Sequence, residues 1–181
     1  MDAKGYETER EVNQWAVDTM NGVDPMEGYT QSYDAYLVSL RTIYQASLAE
    51  MQQDTDVQAF IQTKWGLTPD DINKFGLGRV TKEHLALVSE ATVKQYHLAS
   101  LVDRIIIPWV DNGVLVGLKG RKIDAYHAEE AIKSINISNK DKYPLPVFGY
   151  TVAEKALKRG QNKNNTLLVV ESEMDALVAR K

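Results

Sequence analysis

Two apolar runs separated by an Asn-Gly pair constrain the fold of this chain more than any other feature. The runs are RIIIPWV and VLVGLKGRKI, and both are rich in branched aliphatic residues. Because Asn112-Gly113 is a favoured two-residue turn, the sequence predicts a β-hairpin over residues 104–123. Pro108 cannot donate a ladder hydrogen bond, so we expect the first strand to lie at an edge or to bulge at that position.

Before the hairpin, the pattern of apolar residues is helical. Residues three and four apart are apolar in three stretches, at 12–20, 33–51 and 57–65. The last stretch should end before Gly66, and Thr68 with Pro69 predicts the cap and first turn of another helix. The aromatic side chains in these stretches are expected to be core residues. The first half of the chain is therefore predicted to be helical.

The C-terminal stretch TLLVVESEMDALVARK, residues 166–181, changes from apolar to acidic within a few positions. It predicts a buried strand that ends at Glu171 and a helix that buries Met174, Leu177 and Val178. Helices followed by a hairpin and then a strand–helix unit indicate an α+β fold.

Composition excludes several classes of protein and site. The 181 residues include no cysteine, which rules out disulfides and cysteine-ligated zinc, and the three histidines show no metal-binding spacing. We therefore expect no zinc. No apolar run approaches the roughly 20 residues that a membrane helix needs, and the N-terminus is too polar for a signal peptide. We expect a cytoplasmic protein that does not contact membranes.

The net charge of −4 hides an uneven distribution. Residues 100–165 contain 11 Lys and Arg and 7 Asp and Glu, whereas the rest of the chain contains 10 and 18. A basic middle in an acidic protein is compatible with an anionic partner, although a mixed, solvated surface explains the same counts.

The carboxylates near the C-terminus have two interpretations. Glu171 is predicted at the carboxyl end of a strand, where ligands gather in α/β folds, and Asp175 lies one helical turn further on. Such carboxylates can hold magnesium, which prefers one or two of them together with water and phosphate. Alternatively, Glu171, Glu173 and Asp175 only stabilise the positive end of the helix.

Four segments, in order, resemble a known family. LLVVESEMDAL resembles the Val-Val-Glu-Gly-x-Met-Asp motif that opens the Toprim domain of bacterial- and phage-type DNA primases. DRIIIPWVDNGVLVGLKGRKI resembles the segment by which that family enters its central sheet. TIYQASL and FIQTKWGLTPDDINKFGLG are similar to its tyrosine-containing helix and to its Gly-Leu…Phe…Gly segment. The resemblance extends from about residue 33 to the C-terminus.

This resemblance implies an organisation for the chain. Residues 31–165 would form the basic N-terminal subdomain of a primase catalytic core, and residues 166–181 would begin the Toprim domain with its first strand and helix. Residues 1–30 match nothing in the family and are expected to be a helix or a linker. The family completes its metal site with an Asp-x-Asp pair on later strands, so the chain is expected to be truncated inside the Toprim domain or to be a degenerate relative.

The resemblance also implies site residues. Glu171 would be a catalytic metal ligand for Mg²⁺ or Mn²⁺, incompletely coordinated in this chain, and Asp175 a second catalytic carboxylate. The residues expected to bind nucleic acid or nucleotide are basic: Arg104, Lys119, Arg121, Lys122 and Lys133. Lys119 and Ser172 stand where the family commonly has glycine.

The expected function is to supply the template- and nucleotide-binding platform and the Toprim glutamate of a primase, a nucleotidyltransferase that synthesises RNA primers during DNA replication. The implied partners are single-stranded DNA template, ribonucleotides and the RNA primer, with a replicative helicase as a further candidate. Whether this chain alone is an enzyme stays open, and we expect it to make no primers by itself.

Three alternatives remain. The chain can be a non-catalytic single-stranded-DNA-binding or replication-adaptor module, a topoisomerase- or nuclease-like Toprim protein, or a scaffold whose acidic helical half docks on another protein.

Overall fold

The computed structural model of this protein describes residues 35–111, 113–138, 148–149, 154, 158 and 168–180. The chain divides into two compact units, Met1–Asp34 and Ala35–Lys181, and every described residue belongs to the second. The helix expected at 12–20 and the whole of residues 1–30 lie outside the described residues. The boundaries expected at residues 31 and 166 stay predictions.

The first part of the second unit is helical, as the sequence predicts. Its first three α-helices are α1 (Ala35–Gln53), α2 (Thr55–Trp65) and α3 (Pro69–Lys74). The carboxylate of Asp54 caps α2 by accepting a backbone amide hydrogen bond at 2.9 Å. Gly66 ends α2 in the left-handed conformation, with φ of 70°. Thr68 and Asp71 form a capping box at the start of α3 with Pro69 in its first turn, so both predicted helix boundaries are confirmed.

Short helices complete the helical part. A 3-10 helix (Glu83–Leu87), α4 (Glu90–Gln95) and a second 3-10 helix (Leu98–Leu101) lead to the sheet, and α5 (Glu173–Ala179) lies near the C-terminus. No helix among the residues that the structure describes combines the length and apolarity needed to cross a membrane.

The sheet has four antiparallel strands in chain order: β1 (Gly78–Arg79), β2 (Arg104–Asp111), β3 (Val114–Lys122) and β4 (Ser134–Ser138). The predicted hairpin is confirmed, because β2 and β3 pair along their whole length. Gly113 has a φ of 85°, a value that suits glycine in the tight turn.

The prediction for Pro108 is confirmed in its first form, a position at an edge. The register of the hairpin does shift between Trp109 and Val110, but the extra residue is Val116, so the bulge lies on β3 and not on the strand that contains the proline. On the other side, β1 pairs only with Ile105 and Ile106, so among the described residues β2 has no neighbour beyond Ile106 and is an edge strand at Pro108. The missing amide therefore costs no ladder hydrogen bond to β1.

Two apolar cores lie on opposite faces of the sheet. The first core joins α2, α3 and α5 to one face, and its sheet residues on β2 are Ile105 and Ile107. The second core joins α1 and the second 3-10 helix to the other face, which carries Ile106, Leu118 and Ile137. Neighbouring residues of β2 enter different cores because successive side chains of a strand point to opposite faces.

The C-terminal segment matches the prediction in its helix and differs in its strand. Met174 and Leu177 of α5 are buried in the first core as predicted, whereas Val178 is 39% exposed. Residues 168–170 form no strand, and Leu168 and Val169 are 67% and 81% exposed. A strand needs a neighbour for its backbone hydrogen bonds, and no described residue pairs with this segment. The α+β class itself is confirmed.

Candidate nucleic-acid interface

Lys119 and Arg121 lie on the face of the sheet that carries the first core, here called the basic face. Arg121 is opposite Ile105 and Lys119 is opposite Ile107, and directly opposed residues of antiparallel strands share a face. Across β3 from them, β4 places Ser134 opposite Arg121. The basic face therefore changes from apolar on β2, under the helices, to cationic on β3 and polar on β4.

Arg121 is the predicted residue best placed to bind a ligand. Its guanidinium carbon lies 6.0 Å from the centre of the Trp65 ring, at the end of α2. Within the described part of the chain, no carboxylate forms an ion pair with it. A guanidinium that is oriented by an aromatic ring, and whose N–H groups remain available, can hold a phosphate with two hydrogen bonds.

Lys119 is committed to a contact with α5. Its Nζ donates to Glu173 Oε2 at 2.5 Å, and the two side chains are only 15% and 11% exposed. The ion pair fixes the first turn of α5 to the basic face. The sequence did not single out Glu173 as a partner for a lysine 54 positions away; its only signal was its place among the acidic residues at the helix start.

Lys122 and Lys133 differ in how freely they can act. Lys122 Nζ donates to the Glu130 carbonyl at 2.8 Å and lies 3.9 Å from Asp124 Oδ1, and its side chain is 13% exposed. Lys133 is exposed, and its backbone carbonyl accepts a hydrogen bond from the amide of Lys122 at 2.9 Å; its side chain has no partner among the described residues. Lys133 can therefore reach a ligand, whereas Lys122 mainly contributes positive potential.

Arg104 is buried on the opposite face, with 2% of its side chain exposed. Its Nε donates to the Ser100 carbonyl at 3.1 Å, and its guanidinium pairs with Glu130. Gly120 makes room for it, since a Cβ there would lie 2.9 Å from Arg104 Cδ. These contacts give Arg104 a structural role, and its assignment as a phosphate ligand stays a prediction.

The predicted catalytic carboxylates are both exposed at the start of α5. Ser172 caps the helix: its Oγ accepts from the Asp175 amide at 3.2 Å and donates to Asp175 Oδ2 at 2.7 Å. Ser172, at a position where the resemblance expects glycine, is thus the N-cap, and its hydroxyl occupies one oxygen of the Asp175 carboxylate. Glu171 has no such contact among the described residues.

A metal site is not assembled by the described residues. They contain no cluster of three or more His, Asp or Glu side chains that could hold an ion. Of the two predicted catalytic carboxylates, Asp175 accepts a hydrogen bond from Ser172, and Glu171 has no such partner among the described residues. One exposed carboxylate binds a hard cation only weakly unless further oxygen ligands join it. Magnesium or manganese binding at Glu171 stays a prediction.

Comparison with known proteins supports the fold. No family model matches the chain, and no curated protein matches it. A solved structure described as the DnaG catalytic core has 20% sequence identity and a TM-score of 0.56, and the match covers 78% of this chain. The fold is primase-like. The match spans 49% of that chain, so this protein corresponds to about half of the DnaG catalytic core, and at this identity the similarity concerns the fold alone.

Proposed function

We propose that this chain is the template-binding part of a DNA primase, an enzyme that joins ribonucleotides into RNA primers on single-stranded DNA in the cytoplasm. The observation that carries the proposal is the basic face, where Arg121 and Lys119 lie beside polar β4 within a primase-like fold. A cationic surface along a sheet is a common way to track a single-stranded backbone.

The basic side chains divide into direct and indirect contributors. Arg121 and Lys133 form no ion pair with any residue that the structure describes, and they would contact template or nucleotide phosphates directly. Lys119 and Lys122 already have partners in the protein and would raise the local positive potential. Two direct contacts predict a measurable salt dependence, because each phosphate contact on a single strand contributes about −0.7 to the slope of log K against log salt.

The carboxylates at α5 would belong to the nucleotidyl transfer of the longer enzyme. Glu171 would be one ligand of a Mg²⁺ or Mn²⁺ ion that neutralises charge on the leaving pyrophosphate, with further ligands outside this chain. The ion pair between Lys119 and Glu173 would hold α5, and therefore Glu171, beside the template path. Ribonucleotides and the RNA primer would then be partners of the same region, and a replicative helicase is a further candidate.

The direct test measures binding of a labelled single-stranded DNA oligonucleotide by fluorescence anisotropy over a salt series. We compare the native chain with the double variant Arg121→Ala, Lys133→Ala. The variant should bind more weakly, and its salt slope should be shallower by about 1.4, for two lost contacts.

The matched control is the double variant Lys82→Ala, Lys94→Ala, which also removes two positive charges but at other positions. Both of these lysines are exposed and lie outside the sheet. Equal losses in the two double variants would mean that only net charge matters, and absence of binding by the native chain at about 50 mM salt would refute the proposal.

A further inference from the structure

Four charged groups meet at the end of β3, next to the basic face. Asp124 follows the strand, and its Oδ2 accepts a hydrogen bond from Lys64 Nζ of α2 at 2.6 Å. Lys122 Nζ lies 3.9 Å from the other carboxylate oxygen. Arg121 is close enough to add to their electrostatic effect on Asp124. One carboxylate thus faces three cations, which leaves a net charge of about +2 on the cluster.

The aromatic side chains of α2 orient two of these cations. Lys64 Nζ lies 5.0 Å from the centre of the Phe60 ring and 5.2 Å from that of Trp65, and Arg121 approaches Trp65 from the sheet. Phe60 and Trp65 meet edge to face, with their centres 5.6 Å apart. A rigid aromatic pair therefore holds cations from two separate elements near one point, and such preorganisation favours an anionic ligand.

Asp124 holds its place in this cluster only weakly. The side chains of Lys64 and Asp124 are 36% and 56% exposed, and ion pairs so open to water are weak. The hydrogen bond from Lys64 and the surrounding cations hold the pKa of Asp124 below its ordinary value, so the carboxylate is charged at neutral pH. A phosphate group offers more oxygens to the same donors than one carboxylate does.

We propose that Lys64 and Arg121, supported by Lys122, form a phosphate-binding site and that Asp124 is an internal anion that occupies it until a phosphate displaces it. The site extends the template or nucleotide path from the sheet onto α2, and in that sense it rests on the proposed function. The ligand chemistry is a phosphate, from either a nucleic-acid backbone or a nucleotide.

The test substitutes Asp124→Asn in the full chain. The amide keeps the shape of the side chain and removes the competing charge, so affinity for single-stranded DNA at about 50 mM salt should rise at least about threefold, the effect of one further phosphate contact. The matched control is Glu129→Gln. Glu129 is exposed in the same loop and has no ion pair among the described residues, so the same loss of charge there should change affinity far less.

Lys64→Met supplies the second comparison, because methionine keeps an apolar stem against Phe60. Adding it to Asp124→Asn should abolish the gain in affinity. Inorganic pyrophosphate, titrated by calorimetry, is the second probe, since it presents phosphate without a sugar or base.

The outcomes separate this inference from the proposed function. If the native chain binds DNA and Asp124→Asn binds no more tightly than Glu129→Gln, the inference is overturned and the proposed function stands. If the native chain does not bind DNA, the proposed function fails, and pyrophosphate binding then tests the inference. Tighter pyrophosphate binding in Asp124→Asn than in Glu129→Gln supports a site for nucleotide phosphates, and equal binding in the two variants overturns the inference.

Discussion

The ion pair between Lys119 and Glu173 should stabilise the protein measurably, because it is short and largely shielded from water. We expect the substitution Glu173→Gln to leave the Lys119 ammonium with a weaker partner at a position where its side chain is only 15% exposed. Hydrogen bonds between charged groups contribute about 1.5–3 kcal/mol to stability, and we expect a loss of about 2 kcal/mol. In a protein of 181 residues, that loss lowers Tm by about 4–8 °C.

A double-mutant cycle separates this interaction from the effect of Glu173 on the helix dipole, which contributes about 0.3–1 kcal/mol by itself. Chemical denaturation of Lys119→Met, Glu173→Gln and the double variant should give a coupling energy of about 1.5–3 kcal/mol.

The control cycle uses Lys94 and Glu90, an ion pair at 2.8 Å whose side chains are 76% and 83% exposed. An exposed pair at this helical spacing should couple by only about 0.3–0.5 kcal/mol. A coupling energy between Lys119 and Glu173 no larger than the control would refute the reasoning that burial strengthens this contact.

Three further predictions concern the sheet and the site. Gly120→Ala should destabilise the protein by about 1–3 kcal/mol in urea denaturation, because the new Cβ would lie 2.9 Å from Arg104 Cδ; wild-type stability would contradict this packing. In an NMR titration, the pKa of Asp124 should lie below its ordinary value of 3.8, and in Lys64→Met it should rise towards that value. The charged carboxylate therefore stabilises the fold fully above pH 3.8, and this stabilisation is lost as the pH falls through the lowered pKa. Glu171→Gln should leave DNA affinity in EDTA unchanged. It should weaken Mn²⁺ binding, followed by electron paramagnetic resonance, about tenfold or more, and measurable Mn²⁺ binding of equal strength in both proteins would exclude Glu171 as a ligand.

Local features of the fold could be predicted from the sequence because their causes are local. The turn at Gly113, the end of α2 at Gly66 and the capping box at Thr68 depend on residues only a few positions apart. The edge position of Pro108 follows from one missing amide.

The strand expected before Glu171 could not be predicted from local residues alone. Its residue types favour a strand, but a strand forms only where another strand offers hydrogen bonds, and nothing among the described residues does so for Leu168 and Val169. The residue types in a segment do not show whether a neighbouring strand is present to pair with it.

The candidate site was predictable only in part. The sequence identified Arg121 and Lys133 by charge and by family resemblance, and the structure leaves both head groups accessible. It could not reveal that Lys64 meets Asp124, a contact between residues 60 positions apart. It gave Arg104 a role in binding phosphate and could not reveal that this side chain is buried, because the burial depends on the pairing of β2 with β3, which brings Gly120 beneath it.

The two cores on opposite faces of the sheet let a protein engineer choose the face on which a stabilising substitution acts. Substitutions in the second core, at positions such as Leu40 or Ile43, repack α1 against the far side of the sheet. They act on the face away from the cations of the basic face, and α1 reaches the first core through Met51. Substitutions at Ile61 or Leu177, in the first core, shift the helices that carry Lys64 and Glu173 and therefore alter the interface itself.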